Sequence, residues 1–183
     1  MLRAYRKILE KHPIVTQAVQ TGFLMGAGDV IAQVTLDKKP LLAIDVRRTG
    51  TFTAIGFFYL GPSLRLWYGT LQRLFGTGGQ PKVALKKVVM DQVLFAPAVL
   101  ASILTIVPLA NGQSLNEAKE KLGKEYWPVL KANYQIWPWV QIANFYWVPL
   151  QYQVLVVQVV ALFWNVFVSW KANSPVTDNT KEK

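Results

Sequence analysis

The sequence contains no cysteine and only one histidine, His12. Disulfide bonds and thiolate metal sites are therefore excluded, and a histidine-based metal site would lack a second ligand of its kind. A lone histidine in the N-terminal segment offers no Ser–His–Asp arrangement. The glycine-rich stretch GTGGQPK at 76–82 lacks the spacing of a phosphate-binding P-loop and is interpreted as a flexible connection. We therefore expect no enzyme activity, no metal and no cofactor.

Charged residues are also scarce, at 16% of the chain against about 25% in soluble domains. Hydrophobic residues make up 52%. No charge occurs in the 25 residues between Asp91 and Glu117, or in the 39 residues from Ala132 to Trp170. A helix needs about 20 mainly apolar residues to cross a bilayer, so the longer run accommodates two crossings with Pro149 near the turn. The sequence predicts an all-α, polytopic helical membrane protein; a soluble bundle with an unusually apolar core is the alternative.

The charges that are present are mainly basic and give a formal net charge of +10. Lysine and arginine fall in the tails and connections, so the expected partners are the lipid bilayer and its anionic headgroups, with no direct binding of nucleic acid. Residues 1–13 have the basic amphipathic pattern of an uncleaved interfacial helix. Residues 172–183 form a polar tail that we expect to be disordered. The whole chain, 1–183, is interpreted as a single integral membrane domain.

Four or five membrane-embedded helices are predicted from the apolar segments of the chain. These segments lie at about 14–36, 49–68, 88–109, 128–148 and 151–170. Between the third and the fourth, the stretch SLNEAKEKLGKEYWP predicts a short amphipathic connecting helix on the surface. Ser114 would be its N-cap, with Glu117 at the capping-box position.

Asp29 is the best-placed charge within a membrane segment. At 100° per residue, the face of the helix that carries Asp29 also carries Gly22, Gly26 and Gln33. The two glycines form a GxxxG pair that lets a neighbouring helix approach closely. Because this face is small and polar, we expect it to point into the bundle. There Asp29 would either hold helices together or line a path for solutes, and the sequence leaves both open.

Two further charges, Arg65 and Asp91, lie in or near membrane segments. Arg65 is close to the end of its segment, where it could snorkel to the interface or pair with Asp29 or Asp91. Asp91 follows Lys87 by one turn, which predicts an ion pair at the start of its helix. A charged lining at a pore mouth is equally compatible with Asp91, and Gln92 beside it keeps the site polar.

The uncharged stretch 133–151 carries a one-sided row of side-chain amides. Treated as one helix, it places four of them within about 80° of each other: Asn133, Gln141, Asn144 and Gln151. Pro138 distorts this register and frees a backbone carbonyl that a neighbour or water must satisfy. The amides would face a water-filled lumen or bond to other helices without any lumen.

Five blocks of sequence together resemble the Mpv17/PMP22 family of small integral membrane proteins. They are LMGAGDVIAQ at 24–33, GPSLRLWY at 61–68, MDQVLFAP at 90–97, NYQIWPWVQIANFYWVPLQYQ at 133–153 and FWNVFVSWK at 163–171. The resemblance covers nearly the whole chain and is greatest for the mitochondrial inner-membrane members. The departures are minor: FVSWK replaces the more usual aliphatic residue before SWK, and the cysteines of some members are absent.

The resemblance implies a helical protein, usually drawn with four crossings, that forms a weakly selective channel for ions and small metabolites in the mitochondrial inner membrane. It also implies links to membrane potential, reactive oxygen homeostasis and maintenance of mitochondrial DNA. Asp91, Gln92 and Pro97 match the family's DQ…P block, whose acid is considered pore-associated. Asp29 and Gln33 match its GD…Q block.

Two other functions stay open at this point. The chain could be a non-conducting scaffold or assembly factor whose polar faces only hold helices together, or the same pore in the peroxisomal membrane. Five helices enclose only a narrow lumen, so a homo-oligomer with a shared path is a further alternative.

Overall fold

The computed structural model describes residues 11–76, 80–147 and 150–173. The described residues form helices and turns only, which confirms the all-α prediction. The predicted N-terminal interfacial helix and polar tail lie almost entirely outside them. Five long helices follow one another: α1, Pro13–Thr35; α2, Val46–Ile55 continued by the π-helical turn Gly56–Leu60 and by Gly61–Phe75; α3, Pro81–Met90 continued by the π-helical turn Asp91–Phe95 and by Ala96–Ala110; α4, Leu115–Trp147; and α5, Leu150–Asn173.

The helix ends are set by local sequence. Pro81 occupies the first turn of α3, where the missing N–H would have no helical partner. Asp45 caps α2 by accepting a 3.0 Å hydrogen bond from the backbone N–H of Arg48. Gly76 ends α2 with φ at 83°, a left-handed conformation that glycine adopts without strain. These signals keep the connections short, so consecutive helices run antiparallel.

The prediction of a separate short helix before the fourth segment was wrong. The predicted capping box is present, since Ser114 N–H and Oγ donate to Glu117 Oε2 at 2.6 and 2.7 Å. The hydrogen bond from the Ser114 backbone N–H lowers the pKa of the Glu117 carboxyl, and the one from the Ser114 hydroxyl lowers it further. The helix that starts there does not stop, however, and continues through Pro128 and Pro138 to Trp147. Each proline removes one backbone hydrogen bond, which the remaining turns of a 33-residue helix outweigh.

One described helix is long and apolar enough by composition to cross a membrane, namely α3, Pro81–Ala110, which contains an 18-residue stretch with a mean hydropathy of 2.3. The predicted number of four to five crossings is therefore not confirmed by hydropathy. In α1 the reason is visible in the fold, because its inward face carries Asp29 and Gln33, and these lower the average over the helix.

Helix order around the bundle follows chain order. Each helix packs on the next, and α1 also packs along the length of α5, which closes the arrangement. The α2–α3 contact is slight in comparison with those of α1 with α2 and α5. The connections after α1 and α3 lie at one end of the bundle, called here the loop end.

The predicted close approach of a second helix to Gly22 and Gly26 is confirmed. A Cβ added at Gly22 would lie 3.1 Å from both Phe57 Cβ and the Thr53 carbonyl oxygen of α2. Small residues of α2 complete the seam, since a Cβ added at Gly61 would lie 2.6 Å from the Cα of Ala18. The α1 and α2 backbones therefore come into contact at Gly22 and Gly61, whereas at Gly26 the nearest α2 atom is Oγ1 of the Thr53 side chain.

An apolar core near the middle of the bundle is drawn from all five helices. Its buried members are Met25, Phe52, Ile55, Leu100, Ile103, Leu104, Val107, Val129, Leu130, Val168 and Ala172. Many large apolar side chains point the other way and are exposed, Phe23, Phe58, Trp139 and Phe163 among them. An apolar exterior around an apolar core is the pattern of a protein that sits in lipid.

Candidate functional site

Asp29 lies at the centre of a buried polar cluster where α1, α2 and α5 meet. Its Oδ1 accepts a 2.7 Å hydrogen bond from Arg48 Nε and a short one from Ser169 Oγ. Its Oδ2 accepts from Thr49 Oγ1 at 2.6 Å and from Gln33 Nε2 at 2.9 Å. Both oxygens of the carboxylate are thus hydrogen-bonded to side chains. The predicted inward face of α1 is confirmed, and Asp29 connects α1 with α2 and α5.

Arg48 carries the positive charge of this cluster. Its Nη1 lies 2.6 Å from Asp37 Oδ2, and its Nη2 donates to Ser169 Oγ at 3.3 Å. The arginine side chain is 10% exposed, whereas that of Asp29 is fully buried. A buried carboxylate is tolerated only when it is paired and hydrogen-bonded, and Arg48 supplies this pairing.

Gln33 ties this cluster to the connection between α1 and α2. Its Oε1 accepts a 2.8 Å hydrogen bond from Asp45 N–H, and its Nε2 donates to Thr49 Oγ1 at 3.0 Å. Its backbone carbonyl accepts from Lys39 N–H at 2.9 Å. One buried glutamine therefore holds both ends of the connection.

A further group of charges lies beside the Asp29 cluster at the loop end. Lys171 of α5 forms a 2.9 Å ion pair with Glu125 of α4. Lys121, one turn before Glu125, is buried. Burial lowers the pKa of Lys121 to about 8, and Arg48 and Lys171 add to this effect, while Glu125 opposes it. Charges from α2, α4 and α5 thus influence one another at this end of the bundle.

A second buried cluster forms around Gln92 of α3. Asn133 Nδ2 of α4 donates to Gln92 Oε1 at 2.6 Å. Gln92 Nε2 donates to Asp91 Oδ2 at 2.9 Å, and Trp67 Nε1 of α2 donates to Asp91 Oδ1, also at 2.9 Å. Two of the predicted amides and the predicted acid are therefore brought together. Their partners are each other, across three helices.

Pro97 explains the local geometry of this second cluster. The turn before it is π-helical, so the N–H of Ala96 bonds to the Asp91 carbonyl. The carbonyl of Gln92 would then require the N–H of residue 97, which proline lacks. Tyr134 Oη fills the gap by donating to that carbonyl at 3.0 Å. Pro97 thus creates a polar main-chain site that α4 satisfies.

The apolar core separates the two clusters. Met25 lies one turn from Asp29, and along α4 Leu130 comes three residues before Asn133. Because consecutive helices are antiparallel, each of these steps leads from one cluster toward the other. The side chains on this route are buried. In the described part of the interior, buried apolar side chains therefore lie between Asp29 and Gln92.

The ion pairs predicted for the remaining charges are not formed in the described contacts. Arg65 is exposed and is not a buried polar residue, so its pairing with Asp29 or Asp91 was wrong and its snorkelling to the interface stays a prediction. Asp29 pairs with Arg48 in its place. Lys87 does not pair with Asp91, because its Nζ donates to the Gly76 carbonyl at 2.6 Å, while Asp91 accepts from Trp67.

Gln141 of the predicted row does not join either cluster in the described contacts. It is half-buried on α4 beyond Pro138, which lies within the helix as expected. The side chains of Asn144 and Gln151 lie outside the described part of the chain, so their predicted roles stay predictions. Asn133 alone of this row is placed in a cluster.

Sequence reasoning missed Arg48, Thr49 and Ser169. Arg48 and Thr49 lie in the first turn of α2, where charges are ordinary and give no signal of burial. Ser169 falls in the SWK block, but a serine at a helix end predicts no particular partner. Periodicity identified the acid of the cluster and could not identify the cation, which comes from another helix.

The chain is similar in sequence to known proteins over most of its length. The sequence profile described as "Mpv17 / PMP22 family" matches residues 108–169. The protein named mitochondrial inner membrane protein Mpv17 is 44% identical in Danio rerio over 93% of this chain and 96% of its own length. The Homo sapiens protein of that name is 42% identical over 93% of this chain and 97% of its own. Protein sym-1 of Neurospora crassa is 40% identical over 93% and 98%. No solved structure matches the chain significantly.

Proposed function

Because the chain belongs to the Mpv17/PMP22 family and is a protein of the mitochondrial inner membrane, we propose that it is a weakly selective channel for ions and small metabolites. The observation that carries the proposal is the second cluster. Asp91, Gln92 and Asn133 lie inside a bundle whose α3 is apolar enough to span the bilayer. An ionisable residue in a span costs roughly 2.5–3.5 kcal/mol at the bilayer centre, so such residues usually serve a function.

Asp91 is the residue most suited to meet a permeant ion. Unlike Asp29, it is only partly buried, and its two hydrogen-bond donors, Trp67 and Gln92, are neutral. Its charge is therefore not cancelled by a paired cation in the described contacts. A carboxylate in this state attracts cations, which gives the proposed channel a weak cation preference.

Conduction requires the apolar layer to part. In the conformation described here, the Asp29 cluster and the Asp91 cluster are separated by buried apolar side chains. Water leaves such a constriction readily, and a hydrophobic constriction is an established way to close a pore. We propose that this conformation corresponds to a closed channel. A homo-oligomer with a shared path between subunits is part of the same proposal.

The experiment is single-channel recording on the purified full chain in planar bilayers under a salt gradient. Asp91→Lys reverses a charge in the second cluster, and Glu120→Lys makes the same change at an exposed position of α4, paired only with Lys124 at its surface. We expect Asp91→Lys to shift the reversal potential toward anion preference and Glu120→Lys to leave it unchanged. If both variants keep the wild-type reversal potential, Asp91 does not line a conducting path.

The links to membrane potential, reactive oxygen and mitochondrial DNA follow from the channel in this proposal. A conduit for small metabolites would influence all three without binding nucleic acid. Cells lacking the chain and rescued with Asp91→Lys should then show a lower mitochondrial DNA copy number than cells rescued with the wild type. Equal rescue by both would separate these links from conduction.

A non-conducting scaffold is the second candidate, and a specific observation favours it. The buried polar groups Asp29, Gln33, Gln92 and Asn133 are hydrogen-bonded within the bundle, and the core between them is apolar. This interpretation expects no conductance and no release of small solutes from liposomes that contain the purified chain at high density. Reproducible unitary currents, sensitive to Asp91→Lys, would exclude it.

A further inference from the structure

The connection between α1 and α2 presents apolar side chains at the surface of the loop end. Leu42, in the 3-10 turn Leu41–Ala43, is completely exposed, and Leu41 and Val46 are exposed by 72 and 77%. These three residues are called here the apolar knuckle. Isolated exposed leucines are ordinary, but three within six residues form a contiguous patch on a short connection.

Basic side chains flank the apolar knuckle, whereas the acids of the connection are engaged elsewhere. Lys38 and Arg47 are exposed on its two sides. Asp37 is paired with Arg48, and Asp45 caps the first turn of α2. Asp45 is nevertheless exposed and keeps its charge, but Lys38, Lys39 and Arg47 outnumber it, so the net charge next to the apolar knuckle is positive.

The apolar knuckle is held in place by the buried Gln33. Its side chain and its backbone carbonyl bind Asp45 N–H at one end of the connection and Lys39 N–H at the other. Lys38 adopts φ of 55°, a left-handed conformation that costs a non-glycine residue about 1 kcal/mol or more. A connection fixed in this way loses little conformational freedom when something binds to it.

The position of the apolar knuckle along the bundle matches the edge of a bilayer. α3, the described helix that is apolar enough to cross a bilayer, ends at Ala110 at the loop end. The connection that follows α1 lies at the same end of the bundle, and therefore at the level where acyl chains give way to headgroups. Leucines at this level can enter the acyl boundary while flanking lysine and arginine meet phosphates.

We propose that the apolar knuckle and its two basic flanks form a binding site for anionic phospholipid. Leu41 and Leu42 insert among the acyl chains, and Lys38 and Arg47 bind the headgroup phosphate. The positive flanks favour an anionic lipid over a zwitterionic one, and the exposed leucines favour a lipid over a soluble anion. This inference depends on residence in the membrane and is independent of conduction.

The absence of cysteine makes the site directly testable. A single Leu42→Cys substitution can be labelled with the environment-sensitive fluorophore NBD in the full chain, reconstituted in phosphatidylcholine nanodiscs. Gln113→Cys, exposed in the other connection of the loop end, is the matched control. Quenching is then measured with spin-labelled phosphatidylglycerol and with spin-labelled phosphatidylcholine at equal mole fraction.

We expect the label at 42 to be quenched several-fold more by phosphatidylglycerol than by phosphatidylcholine, and the label at 113 to show no such preference. Each basic residue near a membrane surface contributes about fivefold in affinity. Lys38→Gln with Arg47→Gln should therefore remove the preference at 42. Both side chains are exposed, so thermal unfolding of this double variant should match that of the wild type and exclude misfolding as the cause.

Four outcomes would overturn the proposal. Equal quenching by the two lipids would show that no anionic headgroup is recognised, and a preference that survives Lys38→Gln with Arg47→Gln would show that these two residues do not recognise it. Red-shifted emission quenched only from the aqueous phase would place the apolar knuckle in water, available to a soluble partner. Self-quenching that disappears when labelled chains are diluted with unlabelled ones would assign it to contact with a second copy.

Discussion

The neutral substitution Asp29→Asn should destabilise the bundle by about 3 kcal/mol. Removing one partner of a buried ion pair costs roughly 3–5 kcal/mol because the other charge is left uncompensated. Arg48 is only 10% exposed, so water compensates little of its charge. It keeps Asp37 at 2.6 Å, however, which places the expected loss at the lower end of that range.

Asp37→Asn is the matched control, because it removes the other carboxylate of the same arginine. Asp37 is 22% exposed, and Arg48 would keep the fully buried Asp29. Pairs with solvent access contribute up to about 1 kcal/mol, so this variant should lose no more than that. The two variants have the same change in charge; Asp29→Asn also disturbs the hydrogen bonds from Ser169, Thr49 and Gln33, which adds to its expected cost.

The measurement is reversible unfolding of the full chain in bicelles, followed by tryptophan fluorescence and helical circular dichroism. A third variant, Asp29→Asn with Arg48→Met, removes the stranded charge and should regain at least about 1 kcal/mol relative to Asp29→Asn alone. The reasoning is refuted if Asp29→Asn is no more destabilising than Asp37→Asn, since the Asp29–Arg48 pair would then contribute nothing specific to the fold.

Other consequences of the structure can be checked with the same unfolding assay. Gly61→Ala should cost about 1–3 kcal/mol of stability because its Cβ would meet the α1 backbone. Gly69→Ala, on the same helix with open space around it, should be neutral or slightly stabilising. Equal effects of the two substitutions would contradict the close contact of α1 with α2. Lys121 has its pKa lowered from 10.5 to about 8, so between these pH values the unfolded chain binds a proton that the folded chain does not. Stability should therefore rise with pH across this window, and Lys121→Met should reduce the slope. Tyr134→Phe leaves the Gln92 carbonyl without its donor and should cost about 1–2 kcal/mol, unless water takes the place of the hydroxyl.

Periodicity predicted the helical positions and the inward face of α1 because both depend on neighbours in the sequence. Gly22, Gly26, Asp29 and Gln33 repeat at helical spacing, and one buried face follows from that spacing alone. The five apolar segments also correspond to the five helices. The length of an uncharged run can be read directly from the sequence and does not depend on tertiary contacts.

The partners of these residues could not be predicted, because they come from distant parts of the chain. Asp29 and Ser169 are separated by 140 positions, and no pattern near either one specifies the other. The prediction of a separate short connecting helix was wrong because Pro128 does not end the helix that begins at Leu115. Within a long helix that is packed on its neighbours, one lost hydrogen bond does not stop propagation.

The glycine seam between α1 and α2 has a mechanical consequence for any motion of the bundle. Where Gly22 and Gly61 place one main chain against another, there are no side chains that could change rotamer and let the two helices slide. Ser169 and Arg48 fasten α5 to the same pair, so these three helices should move as one rigid body. The bundle should then separate at the slight α2–α3 contact. In this motion α3 and α4 rotate together, with the α4–α5 contact as the hinge.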